Sequence, residues 1–426
     1  MSTQVYRKRL LRLKKLLRAK SPRAAALLSS PPLALRSRET SYPFSQSSNL
    51  YYLTGLADVA CTLLVFADAR NPLLVLEEKS KRSRAWLGPH ESVKECAHLL
   101  AAEVVQAPRP HEVLYQLQAV DELYYDNVPG SLALKVVQDL IALLPSRRRS
   151  EPACFAHIET ILEHLRLQKD KEELALMRQA ADAATEAFYT VVPMVKEGMT
   201  EEQVKHLLFA ELARHETVPA FPPIVACGLG SAYPHYSGGR RVLKRGMVLQ
   251  LDWGAEYRRY QSDMARVIPV GSQFTAAQRD LYDVVAAAQS AALRTIRAGV
   301  QLQKVNAAAV RVLTQGLKDF GLLKGSMESL LEGRAYMPFF LQDGVCHSIG
   351  LDVQDDGYRR KEILHTLKEG MVITVEPGLY FSSKTPSGLT KCGIRLEDMV
   401  VVTKQGYEFL TPDLPRTYRE IEQLRE

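Results

Sequence analysis

Apolar residues recur along this chain with more than one rhythm, and each rhythm predicts an element. Over residues 3–20, Leu10, Leu11, Leu13, Leu16 and Leu17 fall at helical spacing among basic residues, which predicts an amphipathic opening helix that caps the first domain. After the Ser/Pro-rich stretch at 29–32, CTLLVF (61–66) and PLLVL (72–76) are short, unbroken apolar runs, the pattern of buried strands. Residues 132–144 return to helical periodicity, so the first part of the chain is expected to be α/β. The segment LPSRRRSEP (144–152) combines two prolines with a charge run, as expected where few contacts cross between domains. The boundary is placed near 150–165, giving a domain of residues 1–160 and a second of 161–426.

The second part opens with a helix expected over 169–192, whose acids Asp170, Glu172 and Glu173 lie near its start and complement the helix dipole. Thr200 with Glu201 and Glu202 marks the next helix start. From Met247 the texture turns to strands: MVLQLDWGAEY, DMARVIPV, MVITVEPGLY and DMVVVT. Ala/Leu/Val periodicity places helices over 276–298 and 304–320 between them, so this part is expected to be α+β.

Composition narrows the class. A length of 426 residues exceeds the ~250 to 300 at which single cores stop growing, so two domains are the default. The chain is 46% hydrophobic and contains no apolar run of the ~18 to 20 residues that a membrane span needs, which predicts a globular body without a membrane partner. Six cysteines without a C-x-x-C pair predict reduced thiols, and with no secretory pattern a cytoplasmic location is expected. The net charge of +7 sits largely in the opening helix and in Arg147, Arg148 and Arg149. Without interleaved aromatics or a docking motif it predicts a solvated surface and no nucleic-acid partner, an organellar transit segment being the alternative for the amino terminus.

Five residues carry the candidate chemistry. Asp252 and Asp263 sit on two strand-like segments that an antiparallel hairpin would bring together. His347 lies in VCHSIGLD between Gly344 and Gly350, Glu376 ends MVITVEPG, and Glu397 follows Arg395 in GIRLED. Each has an ordinary explanation alone: a turn or cap, a core histidine, a strand end, an ion pair. Together, two Asp, two Glu and one His on strands of one domain form an excess of carboxylates that divalent cations would compensate. Oxygen donors with one imidazole suit manganese, cobalt, iron or zinc pairs better than a thiolate site.

In this order and spacing the five residues resemble those of the metallopeptidases with the pita-bread fold, which include methionine aminopeptidase, prolidase and aminopeptidase P; the resemblance spans residues 165–405. RETSYPFSQSSNLYYLTGL (38–56) resembles the matching amino-terminal segment of aminopeptidase P. The resemblance implies an α+β pita-bread catalytic domain preceded by a smaller α/β domain, with a homodimer or homotetramer as the assembly. It implies that Asp252 chelates one of two divalent ions, most simply Mn2+ with Co2+, Zn2+ or Fe2+ as alternatives. Asp263 and Glu397 would bridge both ions, and His347 and Glu376 would complete the second. The ion pair would hold the hydroxide that attacks the scissile carbonyl, Glu376 would shuttle the proton, and His235 in SAYPHYSGG would contact substrate. Arg395 would hold the carboxylates through an ion pair. The implied activity is release of the amino-terminal residue from peptides with proline in second position.

The chain departs from the family pattern H-G-x-x-H-x-x-G-x-D-V-H. It has Asp343 in place of the first histidine and Gln354 in place of the last, catalytic one; Ala265 replaces a common threonine beside the second Asp. Glutamine still donates a hydrogen bond but cannot exchange protons near neutral pH. Two alternatives follow: a prolidase restricted to Xaa-Pro dipeptides, and a pseudoenzyme that binds metal and peptide without turnover.

Overall fold

A computed structural model of the chain describes residues 2–76, 100, 103–106, 116–117, 120–143, 152–340, 344–355, 366–383 and 391–426. The chain divides into two compact units, Met1–Arg166 and Leu167–Glu426. Most of the linker segment 144–152, with Arg147 to Arg149, and Asp343 lie outside the described residues.

The first unit runs α1 (Thr3–Lys20), β1 (Ala24–Ser29), α2 (Ser48–Thr54), β2 (Cys61–Phe66), β3 (Leu73–Leu76), β4 (Glu103–Gln106), β5 (Glu122–Tyr125), α3 (Leu132–Leu143), β6 (Cys154–His157) and α4 (Glu159–Leu167). Among the described residues its six strands form one sheet in the order β4-β3-β2-β1-β5-β6, with β1 parallel to β5, β5 parallel to β6 and β2 antiparallel to both of its neighbours. Every residue of β1, β2 and β3 is buried, as an unbroken apolar run demands of a strand covered on both faces. Helix α1 buries Leu10, Leu13 and Leu17, a stripe at i, i+3 and i+7, and leaves Leu11 exposed. Its Arg9 guanidinium lies 4.0 Å from the Tyr52 ring centroid and donates to the Tyr52 carbonyl at 3.0 Å, tying the basic helix to α2.

The second unit runs α5 (Lys171–Val191), α6 (Glu201–Arg214), β7 (Val218–Pro219), β8 (Ile224–Cys227), β9 (Val248–Trp253), β10 (Ala255–Tyr257), β11 (Tyr260–Gln261), β12 (Met264–Pro269), α7 (Ala276–Leu293), α8 (Leu302–Asp319), α9 (Met327–Glu332), α10 (Met337–Phe340), β13 (Val372–Val375), β14 (Gly378–Phe381), β15 (Cys392–Arg395), β16 (Asp398–Val402), β17 (Tyr407–Phe409) and α11 (Tyr418–Gln423). Helices α5, α6 and α7 start where the chain supplies reciprocal capping pairs: Asp170 with Glu173, Thr200 with Gln203 and Thr275 with Gln278. The strands form small sheets, β12-β9-β8, β11-β10-β7, β13-β16-β17 and β14-β15. Their apolar side holds Trp253, which stacks on Phe188 of α5 at 5.2 Å and donates its indole N–H to the Ala184 carbonyl at 2.9 Å.

Two breaks in these strands correct the expectation of long continuous runs. MVLQLDWGAEY is divided at Gly254, where a Cβ would lie 1.7 Å from the Ser262 carbonyl oxygen, so β9 and β10 join different sheets. MVITVEPGLY is divided at Pro377, which has no N–H to give a ladder. The helix expected over 276–298 ends at Leu293, and turns carry the chain onward.

Candidate metal centre

The pairing on either side of the second break aligns two carboxylates. Val375 pairs with Asp398 and Gly378 with Arg395 in antiparallel ladders of one shared register, so Glu376 faces Glu397 and Pro377 faces Leu396 across the gap. Opposed residues of an antiparallel pair share a face. A second pairing adds the aspartates: Ala265 opposes Asp252 in the β9–β12 ladder and forms an isolated bridge with Glu397. Asp263, two residues before Ala265, shares the face of Asp252 because side chains alternate along a strand. His347 enters from the segment whose Ser348 bridges Ile373 of β13. Only Asp252 lies inside a strand; Asp263, Glu376 and Glu397 lie just outside strand ends and His347 lies in a loop beside the bridging Ser348, which corrects the expectation that all five are strand residues.

Four of these side chains, Asp263, His347, Glu376 and Glu397, come together around the imidazole, and Asp252 joins them through Arg395. His347 Nε2 lies 3.6 Å from Asp263 Oδ2, 3.5 Å from Glu376 Oε1 and 4.0 Å from Glu397 Oε1. Arg395 contacts Asp252 Oδ2 directly and lies 3.9 Å from Glu376 Oε2, so its ion-pair partners come from other strands and not from Glu397 two residues along. Asp252, Asp263, His347, Arg395 and Glu397 are buried. Glu376 has the most exposed side chain among the four acids and the histidine, at 13%.

The donor set fits divalent cations on three observations. Asp263, His347 and Glu397 each offer an atom within 4.8 Å of the others. Asp263 Oδ1 and Glu397 Oε1 are buried without a hydrogen-bond partner among the described residues, which is costly for carboxylates unless a cation takes their lone pairs. The His347 Nδ1 atom lies 3.1 Å from the Ser348 carbonyl, which can only accept, so Nδ1 donates there and Nε2 is the nitrogen that faces the carboxylates. Burial and the facing Glu397 hold the Asp263 carboxyl well above the usual carboxylate range. Burial likewise raises Glu397, against the opposing charges of Arg395 and His347.

His235 and Gln354 lie outside this cluster, and both are exposed. His235 follows the 3-10 turn Gly228–Ala232, whose Ser231 hydroxyl accepts from the Gly393 N–H of β15, the strand that leads to Arg395 and Glu397. Gln354 sits on the loop that follows His347. Sequence reasoning missed Tyr380, a buried tyrosine of β14 whose hydroxyl is pushed up by burial and by the charges of Glu376 and Glu397. Its place two residues beyond the VEPG turn was the available signal.

Comparison with known proteins agrees with this geometry. Residues 175–404 match the family model of metallopeptidase family M24, and residues 6–124 match that of the aminopeptidase P N-terminal domain. The Xaa-Pro aminopeptidase of Escherichia coli K12 is 30% identical over 414 residues, covering 95% of this chain and 94% of that protein. The Haemophilus influenzae Xaa-Pro aminopeptidase is 31% identical over 418 residues, covering 95% and 93%. Among solved structures, proline aminopeptidase P II from Yersinia pestis superposes with a TM-score of 0.92 at 31% identity, over 100% of this chain and 99% of that one. Zinc-substituted Escherichia coli aminopeptidase P in complex with product gives 0.92 at 29% identity, over 100% and 98%.

Proposed function

The chain belongs to metallopeptidase family M24, and from that premise we propose that it is a metal-dependent exopeptidase releasing the amino-terminal residue from peptides with proline in second position. The observation that carries this is the convergence of Asp263, His347, Glu376 and Glu397 around two buried oxygens, Asp263 Oδ1 and Glu397 Oε1, that lack hydrogen-bond partners among the described residues. Residues 161–426 form the catalytic domain of the proposal and residues 1–160 the amino-terminal domain.

Asp252, Asp263, His347, Glu376 and Glu397 would hold two divalent ions, with manganese first among manganese, cobalt, zinc and iron for a set of hard oxygens and one imidazole. When bound, such ions polarise a carbonyl oxygen and make water acidic enough to attack near neutral pH. Glu376, the most exposed acid of the set, accepts the proton of the attacking water on its carboxylate and delivers it to the leaving proline nitrogen. Arg395 holds Asp252 and, more loosely, Glu376 in place. His235 donates to the substrate carbonyl, and the Gln354 amide supplies a second donor without exchanging protons. Selection of proline follows from an amide that lacks an N–H and has a fixed φ. The working form is a cytoplasmic homodimer or homotetramer.

Turnover of Xaa-Pro-Xaa tripeptides and Xaa-Pro dipeptides, assayed without added metal and after adding manganese, cobalt or zinc in turn, tests the proposal. Metal-dependent release of the first residue from tripeptides is the expected result. Cleavage of dipeptides alone would assign a prolidase, and inertness toward both with metal taken up would overturn the enzymatic reading.

A further inference from the structure

Directly behind the ligand cluster lies a second, fully buried charge system that the proposed chemistry does not use. Arg266 of β12 and Asp398 of β16 form an ion pair with both side chains wholly buried, the guanidinium reaching both carboxylate oxygens at 2.9 and 3.0 Å. The other arm of Arg266 donates to the carbonyl oxygens of Glu397 at 2.6 Å and Ala265 at 2.9 Å. The Ala265 carbonyl also accepts the Glu397 N–H at 3.0 Å, so the backbone of Glu397 is held through both its N–H and its C=O. From helix α7, the Gln289 amide donates to Asp398 at 2.9 Å and to the Val375 carbonyl at 3.1 Å, one residue before Glu376. Thr411 donates its hydroxyl at 2.8 Å to Asp398 Oδ1, the oxygen that Gln289 does not take, and Arg416 donates to the same atom at 3.3 Å.

We infer that Arg266, Asp398 and Gln289 are positioning residues for the metal-ligating carboxylates, one network that sets the spacing between the backbones carrying Asp263, Glu376 and Glu397. The inference rests on the metal-site reading above. The three acids enter from different strands, and each lies within two residues of a carbonyl that this network holds. Strand pairing cannot do this alone, because the ladders are interrupted at 376–377 and 396–397. A guanidinium that holds a carboxylate with one nitrogen and two carbonyls with the other, together with a two-handed amide, fixes distance and orientation, which a lone hydrogen bond does not. Groups of this kind behind a metal site alter its affinity by about 10- to 100-fold when removed.

The test is titration of the metal-free full chain with Co2+, read by equilibrium dialysis and by the visible absorption of the bound ion, which reports coordination and not mere stability. Gln289→Met keeps the length of the side chain and removes both donors. The expected result is a cooperative thermal transition, about 10- to 100-fold weaker Co2+ binding and a changed band position or intensity at saturation. Parent-like affinity and spectrum would overturn the inference. Should Gln289→Met lose its cooperative transition, Thr411→Val, which removes one restraint on Asp398, decides it on the same readout: a shifted spectrum and weaker binding support the network, and parent-like values overturn it. Absence of Co2+ uptake by the unmodified chain would instead overturn the metal-site reading and this inference with it, a result distinct from one confined to the variants.

Discussion

Gln354 bears most directly on how fast the chain turns over, because its amide can donate a hydrogen bond to a developing oxyanion but cannot pass a proton. Replacing it with histidine, Gln354→His, is expected to raise kcat on Xaa-Pro tripeptides by about 100-fold with little change in KM. Steady-state kinetics on metal-loaded protein checks this. Activity present only in the variant would mark the natural chain as a binder. Glu376→Gln keeps shape and removes the proton carrier, so kcat is expected to fall by about 10²- to 10⁴-fold while thermal unfolding stays cooperative. Residue types and spacing made Asp252, Asp263, His347, Glu376 and Glu397 legible from the chain alone as candidate ligands. The ionic partner of Arg395 was not, because Asp252 lies 143 positions away and the local pattern pointed to Glu397.

At the scale of the element, the loop that carries His347 and Gln354 depends on a pair distant in sequence. Lys169 meets Asp355 at 3.0 Å with both side chains 1% exposed, and Asp355 donates its N–H to the Ser348 carbonyl at 2.9 Å. Gly350 is required at the crossing, since a Cβ there would lie 2.5 Å from Asp355 Oδ2. Lys169→Met would remove the buried ammonium that meets the Asp355 carboxylate and is expected to cost about 3 to 5 kcal/mol of stability. Urea unfolding measures the loss, and the double variant Lys169→Met, Asp355→Leu should recover most of it, because replacing both partners removes the buried carboxylate together with its ammonium. The pairing was not legible in the sequence, where Lys169 fell at the start of the helix expected over 169–192, which begins instead at Lys171, and nothing singled out Asp355.

At the scale of the whole molecule, two dependences on conditions are expected. Divalent ions that bind only the folded chain stabilise it, by about 2.7 kcal/mol at a hundredfold excess over Kd, so chelation should lower the melting temperature and re-addition restore it. The first unit has its own pH dependence. Asp126, 3% exposed, is pushed up to about 8 by burial and by the neighbouring Glu159 charge, with Ser47 and Arg166 opposing. A carboxyl raised in the folded state contributes stability fully below its ordinary value of 3.8 and loses it as pH rises through about 8. Asp126→Asn should therefore flatten the decline of melting temperature between pH 4 and 8, a slope of at most about 1.4 kcal/mol per pH unit for one proton. Equal slopes in both proteins would refute this assignment. Among the described residues no helix is long and apolar enough to cross a membrane.

Local pattern determined the fold class and the inventory of candidate ligands, because helical and strand periodicity, capping residues and motif spacing act over a few positions. Only the tertiary structure decided that Glu376 stands opposite Glu397, that Arg395 grips Asp252, and that Arg266 reaches across 132 positions to Asp398. Such partners are chosen by strand register and by the cost of leaving a charge unpaired in a dry interior, and neither quantity exists until distant segments have packed.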